Sequence, residues 1–297
     1  MAESMIDIDK FNEPYPRPVL YKSTIGSDRL LICAGDSWTW GDSLGKINTA
    51  PPAAPPPPGS NNLPLPDDFE WRITHIYGAL LASKLKIDFV NLGIPGRSNL
   101  EIIDTLYQKV VPAYHKHYKK ITVLFTLTEL CREMELSLAS ADQITNFNGI
   151  NDFLMQFERL TFERIMSYQR QYPGIEIRVA RNFTYTFAEN LSILEHRHLN
   201  KTWIDVIADY TKQSDYPKSI RVLSQIGMEP LIQYIKKNKT QFQLHKPEFV
   251  DMLTDSLAAT TWLEKSPCNY KKATKHPTEK GHELWADYIY NTCKDII

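Results

Sequence analysis

Four short apolar runs recur along the chain, and each is separated from the next by a stretch with helical spacing. They are residues 29–35 (RLLICAG), 87–92 (IDFVNL), 121–127 (ITVLFTL) and 175–181 (IEIRVAR). Runs this short and this apolar suit strands buried on both faces, as in a parallel sheet. Between them, residues 71–86 place Trp71, Ile76, Tyr77, Leu80, Leu81 and Leu85 near one helical face. Ser98 with Glu101 three residues on forms a capping-box pattern that opens a helix through Ile102, Ile103, Leu106 and Val110. Residues 151–172 repeat the theme with Leu154, Phe157, Leu160, Ile165 and Tyr168. Strands alternating with helices predict an α/β fold with a mostly parallel sheet covered on both faces.

Two regions interrupt this order. Residues 49–66 hold eight of the nineteen prolines, and such a tract lacks the backbone donors a helix or sheet needs. With no complete domain on either side, it is expected to be a long loop within one domain spanning 1–297. Residues 188–263 read as a mainly helical insertion, with helices expected at 201–210, 229–237 and 248–260 and a short strand near 221–224.

The 297 residues carry 34 Lys and Arg against 35 Asp and Glu, a net charge of -1. That balance offers no basic footprint for nucleic acid. No apolar run approaches the roughly 20 residues of a membrane span. The start, MAESMIDIDKF, lacks the basic end and apolar stretch of a secretory signal, so synthesis in the cytoplasm is expected. The four cysteines are far apart with no CxxC, which indicates neither a disulfide framework nor a zinc knuckle. No GxGxxG or GxxxxGK[ST] is present to cradle a nucleotide.

In an open parallel sheet, ligands bind beyond the carboxyl ends of the strands. Gly35, Asp36, Ser37, Trp38, Thr39, Trp40 and Gly41 follow the first strand, and Gly93 to Asn99 follow the second. Thr128, Glu129 and Arg132 follow the third, Asn182 and Thr184 the fourth, and His276-Pro277 precedes a helix expected at 279–289. A serine beside a glycine at such an edge becomes a nucleophile if a neutral imidazole takes its proton. Backbone amides at Ser37 and Gly93 are candidates to face an anionic tetrahedral intermediate.

The segment from Gly35 to Gly41 resembles the first block of the GDSL, or SGNH, hydrolases. Asn91-Leu92-Gly93 with Gly96, Ser98 and Asn99 is similar to their second block, and the His276 segment to their last. The resemblance implies a flavodoxin-like three-layer α/β/α sandwich and ester hydrolysis without metal or cofactor. It implies Ser37 as nucleophile, His276 as base, and the amides of Ser37 and Gly93 as oxyanion donors. The family's third block ends in Gly-x-Asn-Asp, where this chain reads Thr126-Leu127-Thr128-Glu129. Thr128 is therefore the candidate third donor, with a hydroxyl of shorter reach than an amide. The family's Asp three residues before the histidine is Ala273 here. Glu264, Asp255 or a backbone carbonyl is left to orient the imidazole.

Possible substrate contacts are Trp38, Trp40, Arg97, Asn99 and Glu129. The tryptophans are either a floor for a sugar ring or core packing. Arg97 meets an anionic substrate or pairs with an acid, and Glu129 touches substrate or pairs with Arg132. Ser43, in a second Gly-Asp-Ser six residues past the strand, ranks below Ser37. His115 and His117 read as exposed, His282 as a helix-face residue, and His196 with His198 as a weak metal pair.

The expected substrate is an acylated, most simply acetylated, carbohydrate or a small ester. The chain also resembles SGNH-like bacteriophage proteins through Thr128-Glu129 with Arg132, residues 181–184 (RNFT) and residues 201–205 (KTWID). That resemblance implies a virion-associated enzyme acting on bacterial surface polysaccharide, with other virion proteins or a second copy of the chain as partners. A catalytically inactive glycan-binding or structural virion subunit is the alternative.

Overall fold

Each of the four apolar runs forms a strand in the computed structural model, which describes residues 19–21, 26–41, 44, 69–95, 97–128, 147–182, 188–211 and 277–297. They are β2 (Arg29–Gly35), β3 (Asp88–Gly93), β4 (Lys120–Leu127) and β5 (Ile175–Arg181). A short strand that the sequence pattern does not show, β1 (Val19–Tyr21), pairs antiparallel with β3 through Val19 opposite Asn91. The sheet order is β1-β3-β2-β4-β5, and every pair except β1 with β3 is parallel. Taken alone, the parallel strands follow the flavodoxin-like order, with the chain switching direction across the sheet between β2 and β4.

Alternate residues of each strand feed two cores. On one face Leu31, Cys33, Phe89, Leu124 and Ala180 pack beneath α2 (Phe69–His75), α3 (Tyr77–Leu85) and the tryptophan-bearing helices described below. On the other, Leu30, Ile32, Val90, Val123, Phe125 and Ile177 pack beneath α4 (Asn99–Thr105), a π-helical turn (Leu106–Val110), α5 (Val111–Tyr114) and α6 (Phe147–Gln171). The result is a three-layer α/β/α sandwich. The predicted capping box at Ser98 and Glu101 is formed. The π-helical turn lies just before Pro112, whose missing N–H interrupts the i→i−4 ladder.

Of the region 188–263, the structure describes α7 (Ala188–Leu191), a 3₁₀ turn (Ser192–Leu194) and α8 (Trp203–Thr211). The expected elements at 221–224, 229–237 and 248–260, and the proline tract at 49–66, lie outside the described residues. The last helix, α9 (Glu279–Cys293), is capped by the Thr278 side chain, which accepts from the Gly281 N–H. It runs beside α3, and its direction is fixed at both ends. His282 Nδ1 near its start accepts the N–H of Tyr77, whose hydroxyl meets Thr126 near the carboxyl end of β4. Past its far end, Ile296 O accepts from Lys120 Nζ at the beginning of β4, at 2.6 Å.

The same His282 contact explains why the pattern read as one helix over 71–86 is two. Ile76 is extended, with φ -72 and ψ 152, and has no side-chain cap for α3. An imidazole 205 residues away satisfies the first N–H instead. His282 is fully buried between Tyr77 and Trp203 rather than on an open helix face.

The four-residue helix α1 (Ser37–Trp40) lies directly on β3. A Cβ on Gly93 would stand 2.3 Å from Trp40 N and 2.5 Å from Trp40 Cα, both rigid backbone atoms. Gly93→Ala is therefore expected to cost about 1–3 kcal/mol, as overpacking does. The urea midpoint checks this, and an unchanged midpoint would contradict such close contact.

Burial drives the Cys33 thiol far above its ordinary range, against the opposing effect of a hydrogen bond with Tyr77. It also drives the Tyr77 phenol well up. The folded chain keeps both protons, while the unfolded chain releases them above about pH 8.5 and about pH 10. The unfolded state then binds fewer protons, so stability falls as pH rises. It is expected to lose up to about 1.4 kcal/mol per pH unit for each group once its unfolded value is passed. Urea midpoints measured between about pH 7.5 and about pH 10.5 should decline, and Cys33→Ala should lessen the slope.

Candidate active site

The carboxyl ends of β2, β4 and β5 meet at Asp36, which is fully buried. Its Oδ1 accepts from the Trp38 N–H at 3.0 Å and from Asn182 Nδ2 at 2.9 Å. Its Oδ2 accepts from the Thr128 hydroxyl at 2.9 Å. Asp36 thus caps α1 and ties the residue after β4 and the residue after β5 to the end of β2. Asn99, at the start of α4, completes the cluster by giving its side-chain amide to the Thr128 backbone. Nδ2 donates to Thr128 O at 3.2 Å, and Oδ1 accepts from Thr128 N at 2.9 Å.

Ser37 follows Asp36 as the first residue of α1 and is 7% exposed. It stands at the switch point between β2 and β4, where this topology opens its crevice. The tight turn depends on Gly35, since a Cβ there would fall 2.2 Å from Thr39 Oγ1. The structure therefore brings Ser37, Gly93, Thr128, Asn99, Trp38 and Trp40 together at one edge of the sheet. His276 and Glu129 lie outside the described residues, as do Arg132, Ser43, Asp255, Glu264 and Ala273.

Several of the expected site residues are already engaged. Thr128 directs its one hydroxyl proton to Asp36 and its N–H to Asn99. Asn99 is fully buried with both ends of its amide on Thr128. The Gly93 N–H donates to Asn91 Oδ1 at 3.2 Å, so it does not stand open for an oxyanion. Trp38 and Trp40, at 4% and 7% exposure, are packed in rather than offered as a sugar platform. Arg97 pairs with Glu101 one turn along α4 at 2.8 Å, both side chains substantially exposed. In the sequence Asn182 stands out only by its position after the fourth strand, and nothing local marks it as a partner of Asp36.

Among the described residues no group of three or more His, Cys, Asp or Glu side chains could hold a metal ion. His198 is shifted toward its neutral form by burial first, then by the nearby charges of Arg181 and His196. Among the described residues no helix is long and apolar enough to cross a membrane.

No protein-family model matches the sequence, and no curated protein matches it. Among solved structures, the chain is similar to a protein assigned to the lipolytic G-D-S-L family from Desulfitobacterium hafniense DCB-2. The two share 11% identity, with 88% of this chain and 98% of the other covered at a TM-score of 0.35. A superposition that loose carries no residue roles from one chain to the other.

Proposed function

We propose that this chain is a serine ester hydrolase of the SGNH type. In this mechanism the Ser37 hydroxyl attacks an ester carbonyl while His276 accepts its proton, and water then releases the acyl group. The N–H of Ser37 donates to the oxyanion. The Gly93 N–H joins only by leaving the neutral carbonyl of Asn91 for the charged oxygen, an exchange that the greater strength of a charge-assisted bond favours.

The observation that carries this reading is the placement of the start of α9 at the same sheet edge as Ser37. Pro277 is buried, Thr278 caps the helix, and His282 in its first turns binds the N–H of Tyr77 at that edge. We further propose an acetyl ester of a carbohydrate, such as bacterial surface polysaccharide, as substrate and a virion as the setting. Because Trp38 and Trp40 are buried, sugar recognition falls to residues other than these two.

A second reading, a non-catalytic glycan-binding or structural module, is favoured by the engagement of Thr128 with Asp36 and by Ala273 in place of an acid. Hydrolysis of p-nitrophenyl acetate separates the two. Ser37→Ala and His276→Ala are each expected to lower kcat by at least ~10³-fold, with a fluorophosphonate probe labelling wild-type Ser37 alone. Equal rates in all three proteins, with no labelling, would leave the non-catalytic module standing.

A further inference from the structure

Trp203 belongs to the insertion that no esterase motif explains, yet it joins α1, which carries Ser37, to the start of α9. It is fully buried at the first position of α8. Its ring meets the edge or face of Trp38, the residue after Ser37, at 5.3 Å between centroids and 84°. On the other side its indole N–H donates to Gly281 O in the first turn of α9, at 2.9 Å. The remaining ring contacts close a box: Tyr77 at 5.0 Å and His282 at 4.8 Å, both near perpendicular, and Trp285 stacked at 5.6 Å and 8°.

The start of α8 is itself pinned. Thr202 N–H donates to Asp205 Oδ2 at 2.8 Å, and Asp205 N–H donates to Thr202 Oγ1 at 3.1 Å, a reciprocal cap that fixes where the indole enters. Lys201 N–H also donates to the Tyr288 hydroxyl on α9. A large ring held by one directional hydrogen bond and several aromatic contacts sets distance and rotation together. An aliphatic side chain of similar volume would fix neither.

We propose that Trp203 is a positioning residue, which sets α1 with its nucleophile against the start of α9 and so governs the geometry of proton transfer from Ser37. This rests on the esterase reading and adds the element that aligns its two halves. Small misplacements of reacting groups are costly in rate while leaving substrate binding intact. The prediction is therefore a split between kcat and KM rather than a general loss.

The test compares Trp203→Phe, which keeps a ring but removes the indole N–H, with Phe162→Leu in the opposite core. Both are assayed on p-nitrophenyl acetate at a temperature where circular dichroism shows them folded. Trp203→Phe is expected to lower kcat about tenfold, equivalent to about 1.4 kcal/mol in the barrier, with KM within about twofold of wild type. Phe162→Leu is expected to lose melting temperature and keep kcat. If Trp203→Phe keeps kcat within about twofold, or if Phe162→Leu loses as much, the positioning role is overturned. Should Trp203→Phe fail to fold, Thr202→Ala loosens the same entry more gently; about a threefold fall in kcat supports the proposal and no fall overturns it. Turnover that survives Ser37→Ala sinks the esterase reading and this role with it. Ser37-dependent turnover that is indifferent to both variants sinks only the role of Trp203.

Discussion

A carboxylate shut away from water must have its lone pairs met by donors, or the fold loses several kcal/mol. Asp36 is that group here, and its side-chain partners come from Thr128 and Asn182, 92 and 146 residues along the chain. The contacts exist only if β4 lies beside β2 and β5 beside β4, with their carboxyl ends level. Hydrogen bonds to a charged group contribute about 1.5–3 kcal/mol each. The cluster therefore offsets its own burial when all the strands are present and becomes a liability when one is missing. That conditional character ties the geometry around Ser37 to completion of the sheet.

The same hydrogen bonds explain how this edge differs from the family pattern it resembles. A hydroxyl has one proton, and at Thr128 that proton goes to Asp36. Asn99, which has the reach an oxyanion donor needs, spends both ends of its amide on the backbone of Thr128. The polar side chains at the edge thus brace the loops rather than face outward. In the proposed mechanism, developing negative charge is therefore left to backbone, at Ser37 and, by exchange with Asn91, at Gly93.

Much of the fold was legible because burial on both faces leaves its mark in consecutive residues. The runs at 29–35 and 175–181 correspond residue for residue to β2 and β5, and the Ser98 box opens α4 as read. What escaped notice depends on distant partners. β1 has three residues and no run of its own, and it exists because β3 presents a free edge for it. The break at Ile76 follows from an imidazole 205 residues away. The site was readable to the extent that Ser37 and its turn lie within one segment. The Asp36 cluster was not, since a lone Asn or Thr after a strand looks the same whether it faces substrate or a buried carboxylate. Arg97 was readable as an ion pair or as an anion contact, and only the rotamer that places it on Glu101 separates them.

The polar edge and the aromatic box have opposite energetics, and the site needs both. The Asp36 cluster does little more than offset its own desolvation, so it cannot by itself draw elements together. Trp203, Trp285, Tyr77 and Trp38 can, because large apolar rings leaving water supply a favourable, non-directional driving force. That force brings α8 and α9 against α3 and α1, while the hydrogen bonds from Trp203 to Gly281 and from Tyr77 to His282 choose one rotation among many packed ones. Hydrophobic burial thus pays for proximity, and a few directional contacts convert proximity into alignment. A substitution that spares the aromatic area but removes a directional contact should therefore disturb the placement of Ser37 more than the stability of the sheet beneath it.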